Sequence, residues 1–359
     1  MKKNNIITVL YHDKVVGRLA LTKDCFCAFE YDSKWLDHGF SISPFKLPLE
    51  KRVFIADRDP FSCNFGVFSD SLPDGWGKLL IDRMLVKNRI DPANVSILDR
   101  LAIVGNSGMG ALEYYPENKL SNSIVSDNIE ELAKQCEQVL NEEYEGALDE
   151  LFVAGGSSGG ARPKILIKYN GEDWIVKFRS SSDPKDIGKQ EYEYSINARK
   201  AGLEMPETKL FEGKYFGVKR FDRQNGEKIH MLSASGLLNA SHRLPTLDYV
   251  DLMKATQLLT RDYREVEKMF RLMCFNIFAH NRDDHSKNFS FLYKENRWKL
   301  SPAYDLVYSS GPGGEHTTMV AGSGKNPKEN DILKVAGEAG IKKSKANEII
   351  EKVRSCVAS

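Results

Sequence analysis

This 359-residue sequence has no C-x-x-C pair, no long apolar run, no excess of either charge and no internal repeat. Each absence excludes a class of protein. The six cysteines (Cys25, Cys27, Cys63, Cys136, Cys274, Cys356) are scattered, which predicts reduced thiols rather than a disulfide frame. Cys25 and Cys27 fall on one face of a predicted strand and read as two small buried apolar groups. No segment approaches the length needed to span a bilayer. The opening MKKNNIITVLYHDK carries only about six apolar residues before charge returns, too few for a secretory core. The expected location is the cytoplasm. With 51 basic against 50 acidic residues, a net charge of +1, the chain has no bulk attraction for nucleic acid. What remains is ordinary: 41% hydrophobic and 28% charged residues, in a chain long enough for two or three units with real cores.

The pattern along the chain predicts an α+β protein. Ile6–Tyr11 and Val15–Thr22 flank the turn His12-Asp13-Lys14, and Cys25–Tyr31 follows, a small antiparallel meander. Leu72-Pro73-Asp74-Gly75 leads into a helix with Trp76, Leu79, Leu80 and Met84 on one stripe, interrupted by Arg83. A short helix after Asp91-Pro92 and a closing strand at Gly110–Tyr115 complete the first unit, which carries no obvious chemistry. Ser126–Asn141 reads as a capped amphipathic helix. The segment from Asp222 to Thr246 reads as loop, Leu247 to His280 as mostly helical, and the Gly/Ser-rich stretch past Ser309 as mobile. Two short helices near Asp331–Ala339 and Ser344–Val357 finish the chain.

Chemistry is concentrated in HNRDDHSKNFSFLYKENRWKLSPAYD, from His280 to Asp305. Four residues separate Asp283 from Asn288, a short hairpin follows, and Asp305 comes behind Ala303-Tyr304. The spacing matches the catalytic loop H-R-D-x-x-x-x-N with one residue inserted between His280 and Arg282. Phosphoryl transfer from ATP uses these parts: a carboxylate (Asp283) to orient and deprotonate an attacking hydroxyl, and an amide oxygen and second carboxylate (Asn288, Asp305) to hold magnesium. Lys287 lies where it would neutralise the transferring phosphate; the plain alternative is a solvated loop lysine.

A second signal is GGSSGGARPK, Gly155 to Lys164. Glycines let backbone N–H groups approach phosphate oxygens, and Arg162 and Lys164 add charge. Alone this is as consistent with a flexible linker. It is followed, however, by Ile165–Tyr169, the turn Asn170-Gly171 and Trp174–Phe178, a hairpin with Lys177 on its second strand. A lysine in so apolar a strand either snorkels to solvent from an edge or meets an anion, as the strand lysine of kinases meets ATP. The next predicted helix, Asp186 to Ala201, carries Glu191 on its buried stripe. A buried carboxylate needs a partner, and Lys177–Glu191 is the pair expected. Lys219 to Phe221 lie where the segment joining two kinase lobes, against which adenine rests, is expected.

The cluster His280, Asp283, Asp284 and His285 also consists of metal-ligand types, but a hydrolytic metal site leaves the glycine loop, Lys177 and Asp305 without a role.

Together FSDSLPDGWGKLLIDRML, VGNSGMGALEYYPE, SSGGARPK, WIVKF, QEYEYSINARKAGL, VKRFDR, NRDDHSKNFSFL and SPAYDL resemble the HipA family of bacterial serine/threonine kinases, the toxin half of toxin–antitoxin pairs, over most of the chain. The resemblance implies a two-lobed, protein-kinase-like α+β fold with a β-rich N-terminal subdomain (1–118), a part with the glycine loop and strand lysine (119–222) and a mainly helical C-terminal lobe (223–359). It implies ATP and Mg²⁺ as cofactors. Gly159, Gly160, Ala161, Arg162, Pro163 and Lys164 become the phosphate loop, Lys177 a phosphate contact, and Lys219, Arg220 and Phe221 the border of the adenine. His285, Ser286, Lys287, Asn288 and Tyr304 lie near the nucleotide. The loop serine Ser157, or its neighbour Ser158, becomes a self-phosphorylation site, whose added charge repels ATP. The implied partners are a HipB-like helix-turn-helix antitoxin, DNA reached only through it, and a protein substrate such as an aminoacyl-tRNA synthetase. Two departures stand out. Position 219, often acidic in the family, is lysine here, and no A-P-E motif follows Asp305. A small-molecule kinase of the same fold and a catalytically idle ATP-binding corepressor are the alternative functions.

Overall fold

Strand β1 (Ile6–Tyr11) turns through His12 and Asp13, both at positive φ, into β2 (Lys14–Leu21), and β3 (Cys27–Tyr31) follows. In this computed structural model, which describes residues 3–357 except 122, 124, 127 and 143–147, the meander extends to a five-stranded antiparallel sheet, β4-β3-β2-β1-β5, with β4 at Val53–Ile55 and β5 at Leu112–Tyr115. Alternation in β1 buries Ile7 and Val9 while Ile6 faces out, the period-2 pattern from which the strand was read. Cys25 departs from expectation. It sits at φ +64 in the turn before β3 and is exposed, whereas Cys27 is buried. The turn moved the first cysteine off the strand. Burial, then the neighbouring Cys63, pushes the Cys27 thiol up to about 12, so it behaves as an inert apolar group.

The helix Gly75–Lys87 buries Trp76, Leu80, Ile81 and Met84, with Leu79 packed at the margin. Arg83, the interruption in the stripe, donates to the carbonyl of Val139 at the end of the helix Ile129–Leu140. That second helix is capped by Asn128, whose side chain accepts from the Glu131 N–H. Residue Asp127 of the predicted span lies outside the described residues. The region expected to form a helix after Asp91-Pro92 is a 3₁₀ turn at Pro92–Asn94 followed by the helix Ile97–Val104. A Ser96/Asp99 capping box starts that helix.

A four-stranded antiparallel sheet, β6-β7-β9-β8, is built from β6 (Lys164–Tyr169), β7 (Glu172–Lys177), β8 (Thr208–Phe211) and β9 (Tyr215–Lys219). The β6–β7 turn places Asn170 and Gly171 at positive φ, the type I′ geometry that Asn-Gly favours.

The described chain divides into two units, Met1–Lys189 with Thr208–His230, and Gln190–Glu207 with Met231–Ser359. The second unit is mainly helical. Its helices Tyr249–Thr260 and Tyr263–Phe278 are separated where Arg261 turns left-handed and Asp262 caps the next helix. The predicted loop from Asp222 to Thr246 instead contains short strands, among them His230–Ser233, and the helix Ala234–Leu238. Elements of two to five residues are too short to show a period.

His230 is 1% exposed, and its ring nitrogen Nε2 lies 2.9 Å from the carbonyl of Ile42. Burial drives its pKa down to about 4, against a smaller upward pull from Ile42. The unfolded chain therefore binds this proton first, between pH 6.5 and 4. Stability is full above about pH 6.5 and falls by about 3 kcal/mol as the pH drops through that window. Urea denaturation of wild type and His230→Gln from pH 7 to pH 4.5 reads this effect. The loss should be steeper in the wild type, and parallel curves would remove His230 from the account.

Candidate functional site

The predicted site residues fall in both units, and each group is built locally. In the first unit the glycine loop runs from the end of the helix Leu148–Gly155 to the start of β6. Register places Lys164 directly opposite Lys177, and Lys177 opposite Phe216 on β9. Directly opposed residues share a face, so two lysines project from the same face of the sheet. Lys164 is only 7% exposed, and its ammonium donates to the Gly159 carbonyl at 2.5 Å. Lys177 lies 5.6 Å over the Phe216 ring. Opposed like charges destabilise a sheet unless each finds a partner.

Other basic groups of the region have carboxylate partners. Arg162 is paired with Asp183, its Nε 3.1 Å from both carboxylate oxygens. Burial alone would raise the Asp183 pKa, but hydrogen bonds from Ser180 and the Arg162 charge hold it below the usual carboxylate value. Lys219 forms an ion pair with Glu172 at 2.8 Å. Arg220 is buried, with Nε and Nη2 on Asp222 at 2.9 and 2.7 Å. Asp222 also accepts from Arg223 and from the Gly110 N–H, both at 2.8 Å. That network braces the turn at 108–110, so the side chain of Arg220 is structural. Phe221 is half-buried beside it.

The loop serines differ. Ser158 is 2% exposed and donates to the Gly155 carbonyl at 2.6 Å. Ser157 is partly exposed and donates to the Ser107 carbonyl at 2.9 Å. Gly160 stands at φ +86, and Ala161 is exposed while Pro163 is buried.

In the second unit the helix Tyr263–Phe278 delivers the chain to the segment 280–288. Asp283 exposes 61% of its side chain, with the His285 Nε2 at 3.9 Å. The Asn288 amide donates to the Asp283 carbonyl at 2.7 Å, so its nitrogen is engaged within the turn. His285 caps the 3₁₀ turn Ser286–Asn288, its Nδ1 accepting from the Lys287 N–H at 3.3 Å. Ser286 is buried on the Ala240 carbonyl at 3.1 Å. The hairpin of Ser290–Lys294 with Arg297–Leu300 then brings the chain back. The Tyr304 hydroxyl donates to the Lys287 carbonyl at 2.6 Å and lies 2.6 Å from Ser290 Oγ. Asp305 follows at φ +57, a left-handed conformation that non-glycine residues adopt at functional sites more than elsewhere. Asn288 and Asp305 offer hard oxygen donors, the type that suits Mg²⁺. Glu191 is 3% exposed on the helix Ile187–Lys200.

The motif's neighbours carry what spacing did not reveal. Asp284 is fully buried: Oδ1 accepts from the N–H groups of Thr317 (2.9 Å) and Thr318 (3.3 Å), and Oδ2 meets the Tyr249 hydroxyl (2.8 Å) and His316 Nδ1 (2.9 Å). Burial, then the Asp284 charge, raises the Tyr249 pKa well above its ordinary value. The segment read as mobile past Ser309 is thus held here, with His316, Thr317, Thr318 and Val320 buried. The inserted residue also has a place. Asn281 is buried against Asn276 at 3.0 Å, while His280 is exposed at φ +52. Of the two residues before Arg282, Asn281 therefore turns into the core and His280 does not. Among the described residues no group of three or more His, Cys, Asp and Glu side chains is arranged to hold a metal, and Asp284 is committed to hydrogen bonds. The four-ligand hydrolytic site is not formed.

Comparison with known proteins agrees with this fold. Residues 156–359 match the family model of the HipA-like C-terminal domain, and residues 7–115 that of the HipA N-terminal domain. A putative kinase, Y4dM, of Sinorhizobium fredii is 25% identical over 86% of this chain and 78% of its own length. The serine/threonine-protein kinase toxin HipA of Shewanella oneidensis is 22% identical over 82% of this chain and 73% of its own. A solved structure from Shewanella oneidensis, of HipA with HipB and operator DNA, superposes with a TM-score of 0.74 at 18% identity, covering 98% of this chain and 90% of that one. Among the described residues no helix is long and apolar enough to cross a membrane.

Proposed function

The chain belongs to the HipA family, and from that premise we propose that it is an ATP- and Mg²⁺-dependent protein serine/threonine kinase, the toxin of a HipA/HipB-like pair. The observation that carries this reading is the 283–288 turn. It presents the Asp283 carboxylate to solvent and orients the Asn288 oxygen by the 2.7 Å bond to the Asp283 carbonyl. A substrate hydroxyl needs one such exposed base, and a divalent cation needs such an oxygen. In this reading Asp283 orients the hydroxyl and takes its proton, while Asn288 and Asp305 hold magnesium, which neutralises charge on the phosphates when bound. Lys177, Lys164 and the N–H groups of Gly159, Ala161 and Arg162 receive the phosphates, and Lys287 offsets the charge of the transferring group. Lys219, Arg220 and Phe221 border the adenine through their backbone, because the first two side chains are held by Glu172 and Asp222. His285, Ser286 and Tyr304 shape the turn, and Pro163 ends the loop.

The proposed partners are a helix-turn-helix antitoxin, DNA through it, and a translation component such as an aminoacyl-tRNA synthetase as substrate. The reading is tested by transfer of labelled γ-phosphate to protein in cell extract, wild type against Asp283→Asn; equal labelling would end it.

The loop serines supply a second measurement. Ser158 is enclosed and Ser157 is partly exposed, so mass spectrometry of the self-phosphorylated protein should place the phosphate on Ser157. Ser157→Ala should abolish the modification. Phosphate on Ser158 in the wild type would contradict the assignment.

A further inference from the structure

The stretch Leu72-Pro73-Asp74-Gly75-Trp76-Gly77 showed no chemistry of its own in sequence, yet it interlocks with the glycine loop within the first unit. Asp74 stands at the N-cap of the helix Gly75–Lys87, but its side chain makes no capping bond. Its carboxylate instead accepts the N–H of Gly160. The carbonyl of that same Gly160 accepts the N–H of Trp76 at 2.9 Å. Trp76, fully buried, donates its indole N–H to the Lys164 carbonyl at 3.1 Å. Both backbone polar groups of one loop residue are thus bound to the start of one helix.

The glycines around this junction allow the backbones to touch. A Cβ on Gly75, which stands at φ +44, would lie 2.4 Å from the Gly160 carbonyl oxygen. On Gly77 it would lie 2.2 Å from the Ser158 carbonyl oxygen, and on Gly155 2.5 Å from that of Lys164. No side chain fits at these separations. The close approach and the two hydrogen bonds select one conformation of an otherwise permissive loop.

We propose that Asp74 is the positioning residue of the phosphate loop, holding the Gly160 peptide so that the remaining loop N–H groups are arranged for a nucleotide triphosphate. A carboxylate suits the task because a charged acceptor makes the stronger hydrogen bond to a backbone N–H. Its charge also opposes phosphate, so the role is geometric and not electrostatic. Asparagine, with the same oxygen and no charge, is therefore the informative substitution. The nucleotide part of this inference rests on the kinase reading; the loop-holding part does not.

Two measurements separate them. Hydrogen–deuterium exchange of full-length protein should show the peptides covering 153–166 exchanging at least about fivefold faster in Asp74→Ala, with Asp74→Asn near wild type. Calorimetric titration with MgAMP-PNP should show an affinity about five- to tenfold weaker in Asp74→Ala and largely restored in Asp74→Asn. In turnover, KM for ATP should rise with kcat within about twofold. Unchanged exchange in the loop would overturn the proposal. So would nucleotide affinity in Asp74→Ala equal to or above wild type, and so would a general rise in exchange or loss of the fold, since Asp74 would then hold the whole unit. Faster loop exchange together with no binding by wild type would overturn the kinase reading, and with it the nucleotide role of Asp74, while the anchor itself stood.

Discussion

Replacing Asp283 with asparagine should lower kcat for phosphate transfer by roughly 10²–10⁴-fold, the usual contribution of a general base. Nucleotide affinity should scarcely change, because in the proposed role the carboxylate acts on the acceptor hydroxyl in the transition state and not on ATP in the ground state. Stability should also hold within about 0.5 kcal/mol, since an exposed side chain away from buried features is rarely worth more. Asp283 is such a side chain, with 61% of its surface exposed. Asparagine preserves shape and removes only basicity. Phosphotransfer kinetics at saturating MgATP, set beside a calorimetric nucleotide titration, separate these quantities. A kcat within tenfold of wild type would remove Asp283 from the chemistry.

The neighbouring aspartate should behave in the opposite way. Asp284→Ala removes the acceptor for the Tyr249 hydroxyl, for His316, and for the N–H groups of Thr317 and Thr318, all of them buried. An unsatisfied buried donor costs about 1–3 kcal/mol. Neighbouring losses do not add fully, so a total of about 4 kcal/mol is expected. For a chain of 359 residues, at about 2.1 cal/mol/K of unfolding entropy per residue, that corresponds to a melting temperature lower by roughly 5 °C. Activity should fall as well, through disorder at 316–318 and the turn they support, since Thr317 also donates to the Arg282 carbonyl from both its N–H (3.2 Å) and its hydroxyl (3.1 Å). Thermal unfolding monitored by circular dichroism is the direct reading. An unaltered melting temperature would mean that the network is not what holds this segment.

These two residues mark where reading the sequence stops. The spacing Asp283–Asn288 and the return to Asp305 were legible because a loop of set length places groups of known chemistry whatever the surrounding core. The meander, the β6–β7 hairpin and most helices were legible because hydrophobic period and turn residues act locally. Nothing local distinguishes two adjacent aspartates. Asp284 turns inward because Tyr249, His316 and the 317–318 backbone, 32 to 35 residues away in sequence, supply donors that water would otherwise replace.

The same reasoning covers the other departures. The side chain of Arg162 looked like a phosphate ligand until Asp183 accounted for its guanidinium, and that of Arg220 looked like a nucleotide contact until Asp222 did the same. The Gly/Ser-rich stretch past Ser309 looked mobile because its composition carries few apolar groups, yet polar residues order a segment when buried partners await them. From its residues alone, this chain determined its elements, its family and the chemical types at its candidate site. Tertiary structure alone decided which polar side chains face outward to act and which turn inward to hold them, because that choice depends on donors and acceptors contributed by distant parts of the chain.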